Sequence, residues 1–181
     1  LQVLADYLEK INYQNSVKLK GIISSADKLE EATREKLKKI FKCPVTSRYS
    51  NQENGVLAHE CIEHQEFHLN IASYIIEILR FDKDETVQDG EEGRIVITDL
   101  FNYAQPFVRY DTGDVGVVES KGKCQLDTPI LKQLSGRMLD FVYNTKGNLL
   151  SSHVISLTMR PFDKLKQYQF IQETKTGYIL K

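Results

Sequence analysis

The sequence is poor in cysteine, in long apolar runs and in net charge. Its three cysteines, Cys43, Cys61 and Cys124, are too few and too scattered for a disulfide framework, so we expect a reducing cytoplasm. No apolar stretch approaches the length of a membrane span, and no charged and then apolar signal segment opens the chain, so we expect no membrane insertion. The formal net charge of -1 gives no general attraction to nucleic acid.

What the sequence does contain is typical of a soluble globular protein. Apolar residues make up 41% of the 181 residues and charged residues 27%, enough for one domain or parts of two. The first residue is Leu1 and not Met, and it begins inside a helical pattern. We therefore expect a fragment of a longer chain.

The first part of the sequence alternates helical and strand patterns in the order of a parallel βαβ unit. Asp27, with Glu30 three residues later, predicts a capping-box-like helix start. In a parallel sheet ligands lie beyond the carboxyl ends of the strands. The predicted helices cover 1–11 and 27–43, the second with Leu29, Ala32, Leu37 and Ile40 on one face; the strands cover 17–23 and 45–49, and their carboxyl ends are 24–27 and 49–53.

The remaining patterns predict a small antiparallel barrel or sheet, followed by a hairpin. The fold class is therefore α/β, with parallel strands followed by antiparallel ones. The predicted strands are 67–71, 72–79, 94–98, 107–110, 115–118 and 129–131, the acidic segment 82–92 is a solvated loop, and 165–180 is a hairpin.

The segment Asp-Thr-Gly-Asp at 111–114 is chemically the most informative turn of this part. Gly113 can adopt a conformation closed to other residues, and Asp114 then presents a carboxylate that can accept two hydrogen bonds from a vicinal diol such as a ribose. A solvated hairpin turn explains the same residues without a ligand. An aspartic protease is excluded, because it needs two such aspartates sharing a proton and no second Asp-Thr-Gly exists.

The segment 93–114 resembles the signature of the AMP-forming adenylate ligases, most closely the phenylacetate-CoA ligase and CapK (capsule biosynthesis) branch. That signature runs Gly-x-x-Val-x-Thr-x-Leu and ends in Arg-Tyr-x-Thr-Gly-Asp. The matching residues here are Gly93, Val96, Thr98, Leu100, Arg109, Tyr110, Thr112, Gly113 and Asp114. The resemblance implies that Asp114 anchors the ribose of ATP.

Two further turns resemble nucleotide-binding turns of the same family. The segment 25–27, Ser25-Ala26-Asp27, is similar to the turn that contacts adenine, and 49–53 is similar to its Tyr-Gly-x-Ser/Thr-Glu turn. The resemblance implies that Tyr49 lies against adenine and that Glu53 holds the Mg²⁺ bridging the ATP phosphates. A carboxylate is a suitable ligand for such a hard cation. Ser50 replaces the family's glycine, and Gln52 replaces its hydroxyl residue near the α-phosphate.

A third match is Gly136-Arg137, which resembles the Gly-Arg motif at the family's hinge. The resemblance implies that Arg137 reaches the ribose and the α-phosphate, a task suited to a guanidinium fork; an Arg–Asp surface pair is the simpler alternative. By the resemblance, the hinge falls at Leu139 and Asp140, and the segment 147–156 is similar to the family's entry to a helix. We expect 1–138 to be the end of the large domain, with an α/β part (1–80) and a β-barrel part (81–138), and 139–181 to be the hinge and an incomplete small domain.

The resemblance implies an ATP-dependent ligase that activates a small carboxylic acid as acyl-AMP and transfers it to coenzyme A or another acceptor, with Mg²⁺ and the rest of the parent chain. A homodimer is compatible with this. Capsule or polysaccharide assembly follows only from the CapK branch. The competing hypothesis is a nucleotide-binding or interaction module without turnover. Its support is that Ser50, Gln52 and Leu139 differ from the residues that the family has at these positions.

Four potential metal ligands lie within ten residues: His59, Cys61, His64 and His68. Their spacing fits no standard structural zinc pattern, and strand alternation over 67–71 would separate the side chains. We therefore expect these four side chains to be hydrogen-bonded or exposed to solvent and not to bind a metal. The resemblance implies that they lie in a hairpin beside the acyl pocket. A domain with a zinc-stapled loop remains the alternative.

Overall fold

A computed structural model describes residues 1–26, 29–138, 142–150, 152–159, 162, 165 and 167–181 of the chain. Three residues singled out in the sequence, Asp27, Leu139 and Asp140, lie outside the described residues. In the described part no helix is long and apolar enough to cross a membrane.

The described chain contains one eight-stranded sheet, two small two-stranded sheets and three helices. Within the large sheet only β1 and β2 are parallel, and all other neighbours are antiparallel, in the order β1-β2-β3-β4-β8-β7-β6-β5. The predicted α/β class, with a parallel start and an antiparallel continuation, is confirmed. The elements are α1 (Gln2–Lys10), β1 (Ile22–Ser24), α2 (Glu31–Phe41), β2 (Val45–Asn51), β3 (Gly55–Glu60), β4 (Phe67–Leu69), β5 (Tyr74–Leu79), β6 (Glu92–Asp99), β7 (Tyr110–Glu119), β8 (Ile130–Arg137), β9 (Val142–Tyr143), β10 (Leu149–Leu150), α3 (Ser152–Met159), β11 (Phe170–Gln172) and β12 (Tyr178–Leu180).

The first βαβ unit differs from its sequence prediction in length and in the buried face of its helix. The strand β1 covers three residues, all paired with β2, and does not reach back to residue 17. The helix α2 begins at Glu31 and ends at Phe41, where Lys42 turns into the left-handed conformation. It buries Thr33, Arg34 and Leu37, while Ala32 is exposed, because Arg34 has an acidic partner inside the protein.

The Asp-Thr-Gly-Asp segment is not a turn, which corrects the sequence prediction. It lies inside the continuous strand β7 as a bulge: Arg94 faces Val115 and Val96 faces Asp111, so Ile95 alone faces 112–114. Gly113 has a φ of 73°, which a bulge accommodates as readily as a hairpin turn does. The predicted strand at 107–110 is therefore only the approach to β7, which starts at Tyr110.

The large sheet curls around its own core. In a flat sheet with strands about 4.8 Å apart, β2 and β7 would lie about 19 Å apart, since β3, β4 and β8 stand between them. Yet the Tyr49 hydroxyl of β2 donates a hydrogen bond to Asp114 of β7, and Tyr74 of β5 donates one to the backbone carbonyl of Asn54. The enclosed core consists of Tyr49, Leu57, Ala58, Leu69, Tyr74, Ile78, Ile95, Ile97 and Leu131.

A buried ion pair joins the first helix–sheet layer to the curled sheet. The Arg34 guanidinium of α2 donates to both carboxylate oxygens of Glu60 at 2.8 and 2.7 Å, and also to the Val45 carbonyl at 2.7 Å. The backbone amide of Ser47 donates to the same carboxylate at 2.6 Å. Both charged side chains are nearly inaccessible, 5% and 3% exposed, so each depends on the other for its neutralisation.

The end of the chain forms the predicted helix and hairpin. The helix α3 overlaps the end of the expected entry segment 147–156 and continues three residues beyond it, to Met159, and β11 pairs with β12 in a three-residue antiparallel register. Phe170 and Tyr178 stack across this hairpin with ring centroids 5.5 Å apart. The Tyr178 hydroxyl donates to the Tyr143 carbonyl at 2.6 Å, which attaches the hairpin to β9.

The burial of the Arg34–Glu60 pair predicts that Glu60 contributes much more to the stability of the fold than Glu31, which contacts the same arginine. We expect Glu60→Gln to lower the free energy of unfolding by about 3–5 kcal/mol, because it leaves the buried guanidinium with only the largely exposed Glu31 carboxylate as a counter-ion. The control is Glu31→Gln, whose carboxylate is 62% exposed and should contribute less than about 1 kcal/mol. Urea unfolding followed by circular dichroism measures both, and equal losses would contradict the prediction.

Candidate nucleotide site

Four segments that are distant in sequence meet where the curled sheet closes. They are the carboxyl end of β1, the turn between β2 and β3, the bulge of β7 and the end of β8. Contacts among their side chains join Ser25 to Ser50, Tyr49 to Asp114, Glu53 to Tyr110 and Arg137 to Asp114. The sequence-predicted residues of these segments therefore lie together.

The bulge of β7 fixes the position of Asp114. The Asp111 carboxylate accepts a hydrogen bond from the Gly113 amide at 3.0 Å, and the Thr112 hydroxyl accepts one from the Asp114 amide at 3.1 Å. The same hydroxyl donates to the Ile95 carbonyl on β6 at 3.0 Å. These short-range bonds hold the bulge in one conformation and aim the Asp114 side chain toward β2.

Asp114 lies in a half-buried position with two partners. The Tyr49 hydroxyl donates to one carboxylate oxygen at 2.7 Å, and the Arg137 Nε lies 3.8 Å from the other. The Asp114 side chain is only 14% exposed, and this burial raises its pKa above the ordinary range, although Tyr49 and Arg137 oppose the shift. Burial also raises the pKa of Tyr49, so Tyr49 remains a neutral donor.

Tyr49 belongs to the core as well as to the site. Its side chain packs into the cluster enclosed by the curled sheet and is 7% exposed. Because its hydroxyl reaches Asp114, the observed role of Tyr49 is to orient that carboxylate. The contact with adenine that the resemblance implies stays a prediction.

Arg137 presents its charge to solvent beside Asp114. The two residues face each other in the pairing of β7 with β8, and Gly136 before the arginine has a φ of 105°, a conformation that favours glycine. The Arg137 side chain is 68% exposed, so the pair is weak by itself and the guanidinium remains accessible to an anionic ligand.

Glu53 lies at the tip of the β2–β3 turn, where it is exposed. One of its carboxylate oxygens accepts a hydrogen bond from the Tyr110 hydroxyl at 3.1 Å. Burial and this bond raise the pKa of Tyr110, which keeps it a donor. Among the described residues no lysine or arginine forms an ion pair with Glu53. An exposed carboxylate without a protein cation is the kind of single ligand that Mg²⁺ accepts beside phosphates.

The two turns assigned to adenine and phosphate lie next to each other. The hydroxyls of Ser25 and Ser50 are 3.0 Å apart, and Ala26 adopts a positive φ of 76° beyond the end of β1. Ser50 follows a bulge between β2 and β3, and Gln52 is exposed in the turn. Both hydroxyls and the Gln52 amide are thus available for polar contacts with a ligand.

Two residues of the motif have positions that the sequence did not reveal. The sequence analysis treats Tyr110 only as part of the signature, yet its hydroxyl donates a hydrogen bond to Glu53. The alternation of side chains along β7 was the sequence signal that could have revealed this contact. Arg109, the neighbour of Tyr110, forms an ion pair with Glu77 of β5 at 3.1 Å.

The histidine and cysteine set divides into two groups. His59 contacts the Glu60 carbonyl at 2.8 Å, and His68 contacts the Thr128 hydroxyl at 2.9 Å, so these two imidazoles lie apart from the others. Cys61 and His64 instead lie beside Cys124, a residue that was absent from the predicted set because it is 60 positions further along the chain.

The architecture is that of the AMP-forming acyl-CoA ligases. The chain matches 2-hydroxyisobutyryl-CoA ligase, solved in complex with 2-HIB-AMP and CoA, with a TM-score of 0.74 over 99% of this chain and 42% of that one, at 15% identity. It matches o-succinylbenzoate CoA synthetase (MenE) from Bacillus subtilis, solved with the acyl-adenylate OSB-AMP, with a TM-score of 0.67 over 99% of this chain and 39% of that one, at 14% identity. The predicted adenylate ligase fold is confirmed.

Among curated proteins the chain is similar to Protein CapK of Staphylococcus aureus. The two are 24% identical over 173 residues, which is 93% of this chain and 36% of CapK. The chain thus spans about a third of the length of that relative. No protein-family model matches the sequence.

The raised pKa of Asp114 predicts that replacing it stabilises the fold at neutral pH. The native state binds this proton more tightly than the unfolded state, so stability falls as pH rises from the ordinary value of 3.8 to the raised native pKa. We expect Asp114→Asn, whose side-chain oxygen still accepts from Tyr49, to unfold at a higher temperature than the parent at neutral pH and at the same temperature below that window. Differential scanning calorimetry against pH measures this.

The matched control is Asp82→Asn, an exposed carboxylate in the loop after β5. It should leave the unfolding temperature unchanged at both pH values. A parent protein more stable than Asp114→Asn at neutral pH would contradict the prediction.

Proposed function

We propose that this chain provides the nucleotide-binding end of an ATP-dependent ligase that activates a small carboxylic acid as acyl-AMP. The observation that carries the proposal is the convergence of Tyr49, Glu53, Asp114 and Arg137 at the closure of the curled sheet. The ligase fold of the structural relatives and the motif around Asp114 support it.

In this proposal Asp114 binds the ribose. Its carboxylate is fixed by the β7 bulge and by Tyr49, so it has little orientational freedom left to lose on binding. The two hydroxyls of a ribose donate to its oxygens and supply the hydrogen bonds that water cannot fully supply at a half-buried position. Ser25, Ala26 and Asp27 border the adenine, as the resemblance implies.

Arg137 and Glu53 act on the phosphates. The exposed guanidinium of Arg137 donates to the ribose or to an α-phosphate oxygen, and it neutralises the charge that grows there in the transition state. Glu53 would hold Mg²⁺, and a bound Mg²⁺ would supply charge neutralisation for the ATP phosphates. Ser50 and Gln52 provide polar contacts to the same phosphates.

The chemistry comprises two displacements. A carboxylate oxygen of the acid forms a bond to the α-phosphorus while the bond to the bridging oxygen breaks and pyrophosphate leaves. The sulfur of coenzyme A or another acceptor then attacks the acyl carbon, AMP leaves, and the thiol proton passes to solvent. The contribution of this chain is positioning and electrostatic stabilisation.

The wider setting is also part of the proposal. The ligase acts in the cytoplasm together with the rest of the parent chain, a homodimer is compatible with it, and polysaccharide assembly is its suggested pathway. The boundaries 1–138 and 139–181, with a hinge at Leu139 and Asp140, remain predictions.

ATP–pyrophosphate exchange by the full-length protein with a panel of carboxylic acids tests the proposal. We expect acid-dependent exchange, and we expect Asp114→Ala to weaken AMP binding about 10- to 100-fold, because a hydrogen bond to a charged group contributes about 1.5–3 kcal/mol. The control Asp82→Ala, in the exposed loop, should bind as the parent does.

Three outcomes separate the hypotheses. AMP binding that is unchanged in Asp114→Ala would exclude the assigned site. Nucleotide binding without exchange for any acid would favour the module without turnover. Exchange that depends on one class of acid would identify the substrate class.

Glu53 yields a separate prediction about Mg²⁺. We expect Glu53→Gln to raise the Mg²⁺ concentration for half-maximal exchange about tenfold or more, because an amide is a weaker ligand than a carboxylate. Glu173→Gln, an exposed control far along the chain, should show the parental dependence. An unchanged Mg²⁺ dependence in Glu53→Gln would remove Glu53 from the metal site.

A further inference from the structure

A second cluster of reactive side chains lies at the other end of the strands that carry the nucleotide site. The sulfurs of Cys61 and Cys124 and a ring nitrogen of His64 all lie within 4.8 Å of one another. We propose that these three residues form a zinc-binding site. The proposal is independent of the ligase function, because it requires no nucleotide and no turnover.

The donor set has the chemistry of zinc. Zn²⁺ binds thiolates at about 2.3 Å and imidazole nitrogen at about 2.0–2.1 Å in tetrahedral sites, which places neighbouring ligand atoms about 3.5–3.8 Å apart. The observed upper limit of 4.8 Å therefore requires only a small contraction of side chains. Two sulfurs and one nitrogen leave the fourth position to water, and the exposure of His64 keeps that position open to solvent.

The two loops that carry the ligands are fastened to each other by bonds that use none of the three ligand side chains. The Glu66 carboxylate accepts hydrogen bonds from the backbone amides of Lys123 at 2.8 Å and Cys124 at 3.2 Å. At Gly122 an added Cβ would lie 2.5 Å from that carboxylate and 2.9 Å from Ile130, so only glycine allows this approach. The position of Cys124 relative to β4 is therefore defined by the fold.

The turn that carries the other two ligands is also closed. The Cys61 amide donates to the Glu66 carbonyl at 2.8 Å, and the Gln65 amide donates to the Cys61 carbonyl at 3.1 Å. Cys61 comes directly after β3, so its backbone is anchored by that strand. His64 lies within the closed turn and faces Cys124 across the gap between the two loops.

The position separates this site from the nucleotide site. Asp114 and Glu119 are separated by five residues of β7, about 16 Å at 3.3 Å per residue, and Cys124 follows beyond Glu119. Cys61 likewise lies at the end of β3 opposite Glu53. Zinc at this place would clamp the β3–β4 turn to the β7–β8 loop, which supports the pairing of β4 with β8.

Metal analysis of the full-length protein, purified under reducing conditions, tests the site. We expect about one zinc per chain, and we expect cobalt substituted for zinc to show thiolate charge-transfer bands in the near ultraviolet and intense tetrahedral bands in the visible. Cys61→Ser and Cys124→Ser should lower zinc affinity by more than about tenfold in competition with a chromophoric chelator, since even changes to the partners of ligands have effects of that size.

The matched control is His59→Gln, because that imidazole lies on the neighbouring strand and contacts the Glu60 carbonyl instead of the cluster. It should bind zinc as the parent does. Alkylation of the parent protein provides a test that needs no variant: with zinc present, two of the three cysteines should react slowly and become reactive when a chelator is added.

Several results would overturn the proposal. They are the absence of zinc and of the cobalt spectrum in the parent protein, and a zinc affinity of the cysteine variants equal to that of the parent. Equal alkylation rates with and without zinc would also exclude it.

Discussion

The buried pair between Arg34 and Glu60 is the constraint on which the arrangement of this protein depends. A charge inside a protein is tolerated only when its partner and the remaining hydrogen bonds are in place, and here α2, β2 and β3 must all meet to supply them. Glu60 ends the strand whose other end leads back to the turn with Glu53. The pair thus fixes the base of the β2–β3 hairpin and, through it, the position of Tyr49 on β2.

Curvature of the sheet then brings the site together. In the strand order β2 and β7 are separated by three other strands, so no local rule places Tyr49 beside Asp114. Closure becomes favourable because the side chains on the inner face of both ends bury one another in a single core. The Tyr74 bond to the Asn54 carbonyl fastens the far strand, β5, to the same turn. The site is therefore a consequence of how the core is enclosed.

The sequence predicted much of this where local signals were sufficient. Alternation identified β6, an apolar run identified β5, strand patterns around a turn identified the β11–β12 hairpin, and helical spacing identified α1. It failed where distant contacts decide. Gly113 indicates a turn in sequence, but pairing with β6 and β8 on both sides makes it a bulge. The buried face of α2 contains Arg34, a residue that spacing assigns to solvent, because Glu60 is invisible until the fold is known.

The motifs predicted which residues belong to the site, but they did not predict which of these residues contact one another. The signature singled out Asp114 and Arg137, which the pairing of β7 with β8 places opposite each other. It could not reveal that Tyr110 holds Glu53 or that Cys124 joins Cys61, because each pair is separated by more than 50 residues. Spacing along the chain grouped His59, Cys61, His64 and His68 as neighbours in sequence, whereas the structure brings Cys61 and His64 to Cys124 across two hairpins.

The physical state of Asp114 itself argues for a ligand. A carboxylate that served only to accept one bond from Tyr49 could be replaced by an uncharged amide at a gain in stability, since burial penalises its charge. Its second oxygen lies 3.8 Å from the largely exposed Arg137, too far for a strong hydrogen bond. The fold thus keeps an incompletely satisfied charge in a fixed position, with a largely exposed cation beside it. A ligand with a diol and a phosphate would satisfy both groups at once, and that is the combination found in a nucleotide.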